Sequence, residues 1–236
     1  MASPLISIII PAYNEESRIT KTLDTITEYL QQNNINAEII VVDDGSSDAT
    51  AQVANQPDKN IKVIKQPKNM GKGAAVRRGM IESCGEIRIF TDADLSTPIH
   101  EIDKVISRLN DGIEVFVGSR AIDASLIKKH QPIYRELMGK TFNLIVRMFV
   151  LKGIKDTQCG FKAFTKSAAN TIFNQAKIDG FGFDVEILFL ARKFGFQISE
   201  VPVEWHNDDR TTVSPITDSI KMFIEILKVR LIHKDL

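Results

Sequence analysis

This sequence has little cysteine, no net charge and no long hydrophobic run. Its two cysteines, Cys84 and Cys159, form neither a disulfide framework nor a zinc-ligand pattern. Thirty basic residues balance 30 acidic ones, so no global field attracts nucleic acid. The most apolar stretch, residues 142–151, contains Arg147 and is shorter than the roughly 20 residues that cross a bilayer. The N-terminus also lacks the basic and apolar regions of a signal peptide. We therefore expect a cytoplasmic protein without a signal peptide or transmembrane segment.

Apolar, β-branched runs recur through the first half of the chain. They occupy residues 5–10, 37–42, 61–64, 86–91 and 113–118. Continuous hydrophobicity of this kind is typical of strands that are buried on both faces. Helical patterns lie between them, after a possible cap at Ser17 and across residues 47–55, 71–83 and 98–110. This alternation predicts an α/β fold with an open, mostly parallel sheet flanked by helices.

The second half is richer in helical patterns. We expect helices across 130–151, near 166–176, across 180–192 and across 219–232, a loop at 156–164 and a strand at 197–205. No repeat, low-complexity tract or linker separates the halves. We therefore predict one domain over residues 1–236, with a first half of about 1–120 and a second of about 121–236.

Two carboxylates, Asp92 and Asp94, end the fourth predicted strand in I-F-T-D-A-D-L-S-T-P (89–98). Taken alone, this stretch could be an ordinary acidic surface turn. Polar segments, however, also follow the other predicted strands: P-A-Y-N-E-E (11–16), D-D-G-S-S-D (43–48), K-N-M-G-K-G (68–73) and G-S-R (118–120). Ligands of open α/β sheets bind beyond the carboxyl ends of the strands. The shared placement therefore predicts a binding site there.

The charges at this edge suggest its chemistry. Asp92 and Asp94 suit a hard divalent cation, Mg²⁺ or Mn²⁺, which a ligand diphosphate would help to coordinate. Lys72 and Arg120 are candidates to neutralise the remaining phosphate charge. Arg77 and Arg78 are further candidates, although they could equally lie on a solvated helix face. The sequence lacks the P-loop pattern, and no G-x-G-x-x-G follows the first strand, which weakens a dehydrogenase reading.

The motifs taken together resemble a known family. I-I-I-P-A-Y-N-E-E, V-V-D-D-G-S-S-D-A-T, N-M-G-K-G-A-A-V-R-R-G and F-T-D-A-D-L-S-T-P occur in the order typical of family 2 glycosyltransferases of the GT-A fold. D-T-Q-C-G-F-K-A-F, G-F-D-V-E-I-L and E-V-P-V-E-W resemble the dolichyl-phosphate β-glucosyltransferase and polyprenyl-phosphate glycosyltransferase branch. The resemblance extends from about residue 5 to residue 232.

This resemblance implies a Rossmann-like GT-A sheet with acceptor-side helices at the C-terminal end. The implied activity is inverting, metal-dependent transfer of glucose from UDP-glucose to a polyprenyl or dolichyl phosphate. Ser96 and Thr97 stand where mannosyl-transferring relatives often have Gln-His, which favours a glucosyl donor. Another donor such as GDP-mannose, or a saccharide hydroxyl as acceptor, remains an alternative. A more distant one is a nucleotide-sugar-binding module without catalysis.

The resemblance also implies roles for individual residues. Asp92 and Asp94 would hold the metal, and Arg210 would replace a phosphate loop found in relatives. Tyr13 could instead be a packed aromatic. The residues implied in nucleotide-sugar binding are Pro11, Tyr13, Glu15, Asp43, Asp44, Lys72, Asp92, Ala93, Asp94, Arg120 and Arg210.

The acceptor side offers several candidate catalytic residues besides Asp94. A lipid monophosphate is already anionic and needs little base catalysis, whereas a sugar hydroxyl requires a carboxylate base. Asp156, Asp184 and Glu186 are the available acids, although Asp184 and Glu186 could instead cap a helix. Lys162 could hold an acceptor phosphate.

The 130–151 segment suggests how a lipid acceptor is reached. It carries apolar residues, among them Phe142 and Phe149, with basic residues interspersed. This mixture suits a helix that lies in the interface of an anionic membrane. We therefore expect peripheral association with the cytoplasmic face of a membrane. A core helix or a homodimer helix is the alternative. The remaining apolar positions are Met138, Ile145 and Met148.

Overall fold

The structure, a computed structural model, describes residues 5–129, 139, 141, 146, 150–208 and 217–236. The strands are β1 (Ile6–Ala12), β2 (Ala37–Asp43), β3 (Ile61–Lys65), β4 (Ile87–Thr91), β5 (Val115–Ser119), β6 (Ile127–Lys129), β7 (Phe161–Thr165), β8 (Ile198–Pro202) and β9 (Trp205–His206). The helices are α1 (Ile19–Gln32), α2 (Thr50–Ala54), α3 (Lys72–Glu82), α4 (Ile102–Asn110), α5 (Lys166–Gln175), α6 (Phe183–Lys193) and α7 (Thr217–Ile232).

Seven strands form one sheet in the order β3-β2-β1-β4-β7-β5-β8. β1 runs parallel to β2 and β4, β2 runs parallel to β3, and β5 runs parallel to β8. The short strands β6 and β9 form a separate parallel pair. The expectation of an open, mostly parallel sheet is confirmed, and strands from both halves of the chain contribute to it.

The segment 156–164, expected to be a loop, contains most of β7. This strand lies between β4 and β5 and runs antiparallel to both. Its sequence, F-K-A-F-T, places a lysine in the middle of a short apolar run, which hid the strand pattern. Because β7 is antiparallel, the loop that precedes it meets the edge where β4 and β5 end. The sheet therefore brings residues 156–160 to the predicted binding edge.

The hydrophobic core occupies both faces of the sheet. Neighbouring residues of β1 illustrate this, since Ile8 packs with α1 and α4 on one face and Ile9 packs with α3 and α6 on the other. All of β1 except Pro11 is buried, which accounts for its continuous hydrophobic run. The rigid sheet fixes the loops at its carboxyl edge.

The described residues include no helix long and apolar enough to span a bilayer. Most of the predicted helix 130–151 lies outside the described residues, as do Met138, Phe142, Ile145, Met148 and Phe149. Arg210 lies outside them too. The predicted roles of these residues remain predictions.

Candidate active site

A cavity of about 450 Å³ opens at the carboxyl edge of the sheet. Segments after β1, β2, β4 and β5 contribute to its walls, together with the loop before β7. The predicted site residues that line it are Pro11, Tyr13, Glu15, Asp44, Lys72, Asp92, Ala93, Asp94 and Arg120. The structure thus brings together most of the residues that the motifs singled out.

Asp92 and Asp94 lie at the floor of this cavity beside the first residue of α3. The Nζ atom of Lys72 is 2.6 Å from Oδ1 of Asp92. Oδ1 of Asp94 accepts a hydrogen bond from the backbone N–H of Ser96 at 2.8 Å. Burial raises the pKa of Asp94, and repulsion from Asp92 raises it further. Lys72 therefore neutralises part, but not all, of the negative charge of these two neighbouring carboxylates.

That residual negative charge fits a divalent cation. Carboxylate oxygens are the ligands that Mg²⁺ and Mn²⁺ prefer, and added positive charge would relieve the raised pKa of Asp94. Among the described residues, no group of three His, Cys, Asp or Glu side chains could hold a metal. Mg²⁺ sites of two carboxylates are usually completed by water and substrate phosphates. The donor set therefore fits a metal that binds together with a phosphorylated ligand.

Gly160 is the neighbour that leaves room for Asp92. A Cβ atom at residue 160 would lie 1.9 Å from Oδ2 of Asp92, far inside any permissible contact. The glycine ends the loop that enters β7, within the motif D-T-Q-C-G-F-K. The close approach of its backbone to the Asp92 carboxylate explains why a glycine stands there.

Arg120 is held rigidly at the cavity wall by Asp156. Its Nε and Nη2 atoms donate to the two carboxylate oxygens at 2.7 and 2.9 Å, and its backbone N–H donates at 3.0 Å. The guanidinium also lies 5.4 Å from the ring centroid of Trp205. Burial opposes ionisation of Asp156, but Arg120 outweighs it and lowers the pKa of Asp156 to about 2. A carboxylate with so low a pKa is a poor base, so its evident role is to position Arg120.

Lys162 and Asp184 form a second ion pair beneath the cavity. The Lys162 side chain is fully buried, and its Nζ donates to Asp184 and, at 2.7 Å, to the carbonyl oxygen of Cys159. The role expected for Lys162 in holding an acceptor phosphate is not supported by this placement, because its ammonium group is buried and bonded to Asp184 and Cys159. Burial raises the pKa of Asp184, although Lys162 and Lys72 oppose this shift.

Glu186 does not reach the cavity. Its carboxylate accepts from the backbone N–H groups of Lys177 and Ile178 and pairs with His233 at 2.6 Å, all within the core. The carboxylate thus ties α6 to the preceding loop and to the C-terminal segment. The catalytic role expected for Glu186 is not supported by this placement, since no ligand in the cavity could touch it.

Asp43 and Asp44 have different surroundings. Asp43 is buried and accepts from the backbone N–H of Ser46 at 3.2 Å, without lining the cavity. Asp44 lines the cavity and accepts from the N–H groups of Met70 and Gly71, both at 2.8 Å. Burial raises the pKa of Asp44, against the effect of these hydrogen bonds. Through these hydrogen bonds Asp44 fixes the loop that directly precedes Lys72.

Tyr13, Arg77 and Arg78 differ in their position relative to the cavity. Tyr13 is 38% exposed at the cavity, so it is not a packed core aromatic. Arg77 pairs with Asp179 and Arg78 pairs with Glu82. Neither arginine lines the cavity, so their placement does not support the phosphate binding suggested for them.

Sequence reasoning missed part of the cavity wall. Arg18 lies 3.3 Å from Asp208 and also contacts Glu15, which connects the loop after β1 to the segment after β9. Gln158 lies in the motif D-T-Q-C-G-F-K-A-F and Trp205 in the motif E-V-P-V-E-W, so these motifs pointed to both residues. The missed lining residues include Arg18, Asn69, Gln158, Gly160, Phe181, Trp205, Asn207 and Asp208.

Comparison with known families shows the family to which this chain belongs. The family model described as "Glycosyl transferase family 2" matches residues 7–173, which include the first four strands, Asp92, Asp94 and Arg120. The chain belongs to glycosyl transferase family 2. The predicted family and the prediction of an enzyme are thus confirmed.

Individual members of glycosyl transferase family 2 resemble the chain along most of its length. A dolichyl-phosphate beta-glucosyltransferase of Dictyostelium discoideum is 36% identical and covers 95% of this chain and 73% of its own length. The protein of the same name from Homo sapiens is 34% identical and covers 96% of this chain and 75% of its own length.

Solved structures support the GT-A fold of this family member. Glucosyl-3-phosphoglycerate synthase from Mycobacterium tuberculosis, crystallised with uridine diphosphate, aligns with a TM-score of 0.70 at 20% identity, covering 96% of this chain and 80% of that one. A complex of that enzyme with Mn²⁺, uridine diphosphate and glucosyl-3-phosphoglycerate aligns with a TM-score of 0.68 at 20% identity, with the same coverage. The predicted fold class is confirmed.

Proposed function

We propose that this protein transfers glucose from UDP-glucose to a polyprenyl or dolichyl phosphate, with inversion at the sugar and with a divalent metal. The observation that carries the proposal is the likeness to dolichyl-phosphate beta-glucosyltransferases, at 33–38% identity over more than nine-tenths of the chain. The cavity supports it, since carboxylates and fixed cations converge where a nucleoside diphosphate would bind.

The donor half of the reaction draws on the groups at the cavity floor. Asp92 and Asp94 would hold Mg²⁺ or Mn²⁺, whose charge would offset that of the diphosphate leaving group. Lys72 and Arg120 present positive charge from two sides of the same cavity. Because ion pairs already fix both cations, they need little reorganisation when charge develops on the leaving group.

The acceptor half needs a nucleophile in line with the departing diphosphate. In the proposed reaction an oxygen of the lipid phosphate bonds to the anomeric carbon, while the bond from that carbon to the diphosphate oxygen breaks. UDP leaves with the electron pair, and the anomeric configuration inverts. The nucleophile is already ionised near neutral pH, so no proton has to be removed in this step.

The environments of Asp156 and Asp184 favour a phosphate acceptor over a hydroxyl. A hydroxyl acceptor needs a carboxylate base within reach. Asp156 is bound to Arg120 with its pKa lowered to about 2, and Asp184 is paired with the buried Lys162. Neither proposed base is available, which counts against the saccharide-hydroxyl alternative.

Membrane association follows from a long-chain lipid acceptor. We propose that the protein is peripheral to the cytoplasmic face of a membrane, and that residues 1–236 act as a single catalytic domain. Phe142 and Phe149, on which the first argument for an interfacial helix rested, lie outside the described residues. The lipid partner and the membrane surface therefore stay proposals, as does a homodimer.

Competition between substrates tests this function. The protein is incubated with Mn²⁺, equal amounts of UDP-glucose, UDP-galactose and GDP-mannose, and a mixture of a short polyprenyl phosphate with a polyprenyl alcohol. Mass spectrometry should find one hexose on the phosphate, with UDP-glucose consumed first. Consumption of GDP-mannose instead would move the donor assignment to mannose. Hexose on the alcohol, or none on either lipid, would contradict the proposed acceptor.

A further inference from the structure

The C-terminal helix α7 has two apolar faces, and the residues that the structure describes cover one of them. Ile226, Val229 and the following His233 are at most 1% exposed and pack into the core. On the opposite side Ile224, Leu227 and Leu231 are 45%, 50% and 69% exposed. The exposed residues recur at i, i+3 and i+7, so they form one stripe along the helix.

Positive charge lies on both sides of this stripe. Lys228 is exposed beside Leu227 and Leu231, and Arg230 and Lys234 are exposed on the other flank. Glu225, the acidic residue within this part of α7, faces away from the stripe and accepts from the backbone N–H of Gly182. Asp235, exposed directly after Lys234, is the acidic neighbour at this end of the stripe. Three exposed basic residues against this one exposed acid leave the surroundings of the stripe predominantly basic, which matches an anionic surface.

The same helix is connected to the active site. Glu225 fixes the turn at Gly182, next to the cavity residue Phe181. Nε2 of Gln158, another cavity residue, lies 2.8 Å from Sδ of Met222 on α7. A surface to which the stripe binds would therefore lie close to the cavity and in a fixed orientation to it.

We propose that the exposed face of α7 and of the turn after it, formed by Ile224, Leu227 and Leu231 with Lys228, Arg230 and Lys234, docks on an anionic lipid bilayer. This inference rests on the proposed function, because docking would present the cavity to a lipid-linked acceptor. The apolar stripe enters the acyl boundary, and the basic flanks contact the headgroups. A bilayer is the occupant favoured by the pairing of exposed apolar residues with predominantly basic flanks.

Vesicle flotation tests the stripe with a matched control. The double variant L227S L231S removes two exposed apolar side chains from α7. L5S I81S removes two with similar exposure, 47% and 46%, from outside the proposed surface. On vesicles of phosphatidylcholine with phosphatidylserine, we expect the stripe variant to lose on the order of 10- to 100-fold in partitioning. The control variant should bind like the unaltered protein.

Charge reversal separates the two contributions to binding. The variant K228E R230E K234E should bind phosphatidylserine-containing vesicles at least about tenfold more weakly, an effect that high salt should shrink. Binding to pure phosphatidylcholine should change little. Equal binding of all variants to both vesicles would overturn the proposal.

Two other occupants of the stripe give different results. If a second copy covers it, sedimentation will show a dimer that L227S L231S dissociates, and vesicle binding will not depend on the stripe. If another segment of this chain covers it, the stripe variant will lose thermal stability while the control does not. Either result would overturn membrane docking.

Failure of docking can be distinguished from failure of the proposed function. Transfer of glucose to a short, water-soluble polyprenyl phosphate requires the active site but no bilayer. The stripe variant should retain this transfer while it loses transfer to long-chain acceptors in vesicles. If the unaltered protein does not transfer glucose to the short acceptor, the proposed function is refuted. Vesicle flotation would still test membrane docking on its own.

Discussion

Replacing Gly160 with alanine perturbs the active site at one carboxylate. The new Cβ would lie 1.9 Å from Oδ2 of Asp92, so this carboxylate must move by roughly 1 Å or more to restore a permissible contact. Movement also disturbs the 2.6 Å contact between Asp92 and Lys72. The φ angle of Gly160 lies outside the left-handed region, so alanine adds no backbone strain there.

The expected loss is catalytic rather than structural. A misplacement of about 1 Å at a reacting group can reduce the rate by ~100-fold. We therefore expect G160A to lower kcat by about 100-fold, with a free energy of unfolding within roughly 1 kcal/mol of the unaltered protein, since one partly exposed ion pair contributes little. The assay is UDP release from UDP-glucose with a polyprenyl phosphate acceptor, beside urea unfolding.

A matched control exists at Gly139, where an added Cβ would meet no atom of the described residues within 4 Å. G139A should keep full activity, and as a helical substitution it should be neutral or slightly stabilising. Full activity of G160A would refute the argument that the position of Asp92 is critical. Global unfolding of G160A would show that the loop before β7 has a mainly structural role.

Further predictions concern single carboxylates. D92N and D94N should each lower turnover by orders of magnitude while circular dichroism stays unchanged, because they remove charge that the transition state needs; full activity of both variants, or of the protein in EDTA, would contradict metal dependence. D44A should weaken UDP binding by about 1.5–3 kcal/mol in calorimetry, because Asp44 lines the cavity and fixes the loop before Lys72; unchanged affinity would place the nucleotide elsewhere. The pKa of Asp156 in the folded protein is about 2, against an ordinary value of 3.8. This shift contributes about 2 kcal/mol to the free energy of unfolding, a contribution that is present above pH 4 and is lost as the pH falls toward 2. In urea unfolding, D156N should therefore be less stable near neutral pH and should lose less stability on acidification; an unchanged acid dependence would refute this role for Asp156.

The sequence was most informative where buried strands end in polar residues. Continuous β-branched runs predicted β1 to β5, because burial on both faces leaves little choice of residue. Since these strands run in the same direction, their polar ends had to meet at one edge, and Lys72, Asp92, Asp94 and Arg120 do meet there.

The sequence was less informative where contacts between residues far apart in the chain determine the structure. β7 is short and contains Lys162, whose buried partner Asp184 is 22 residues away, so no local pattern reveals the strand. Glu186 looked like a candidate base, yet its partner His233 is 47 residues away in the core. Such pairs depend on how distant elements pack, and a sequence pattern cannot display them.

The central claim is that the sugar passes to a lipid phosphate, and the product itself tests it most directly. The protein is incubated with Mn²⁺, UDP-glucose carrying ¹³C at the anomeric carbon, and a polyprenyl phosphate, and the lipid fraction is examined by mass spectrometry and ¹³C–³¹P-coupled nuclear magnetic resonance. We predict one glucose per lipid, a scalar coupling between the labelled carbon and the phosphorus, and the β configuration. Label found only in free glucose, in an α-linked product, or on an acceptor oxygen without phosphorus coupling would contradict the account.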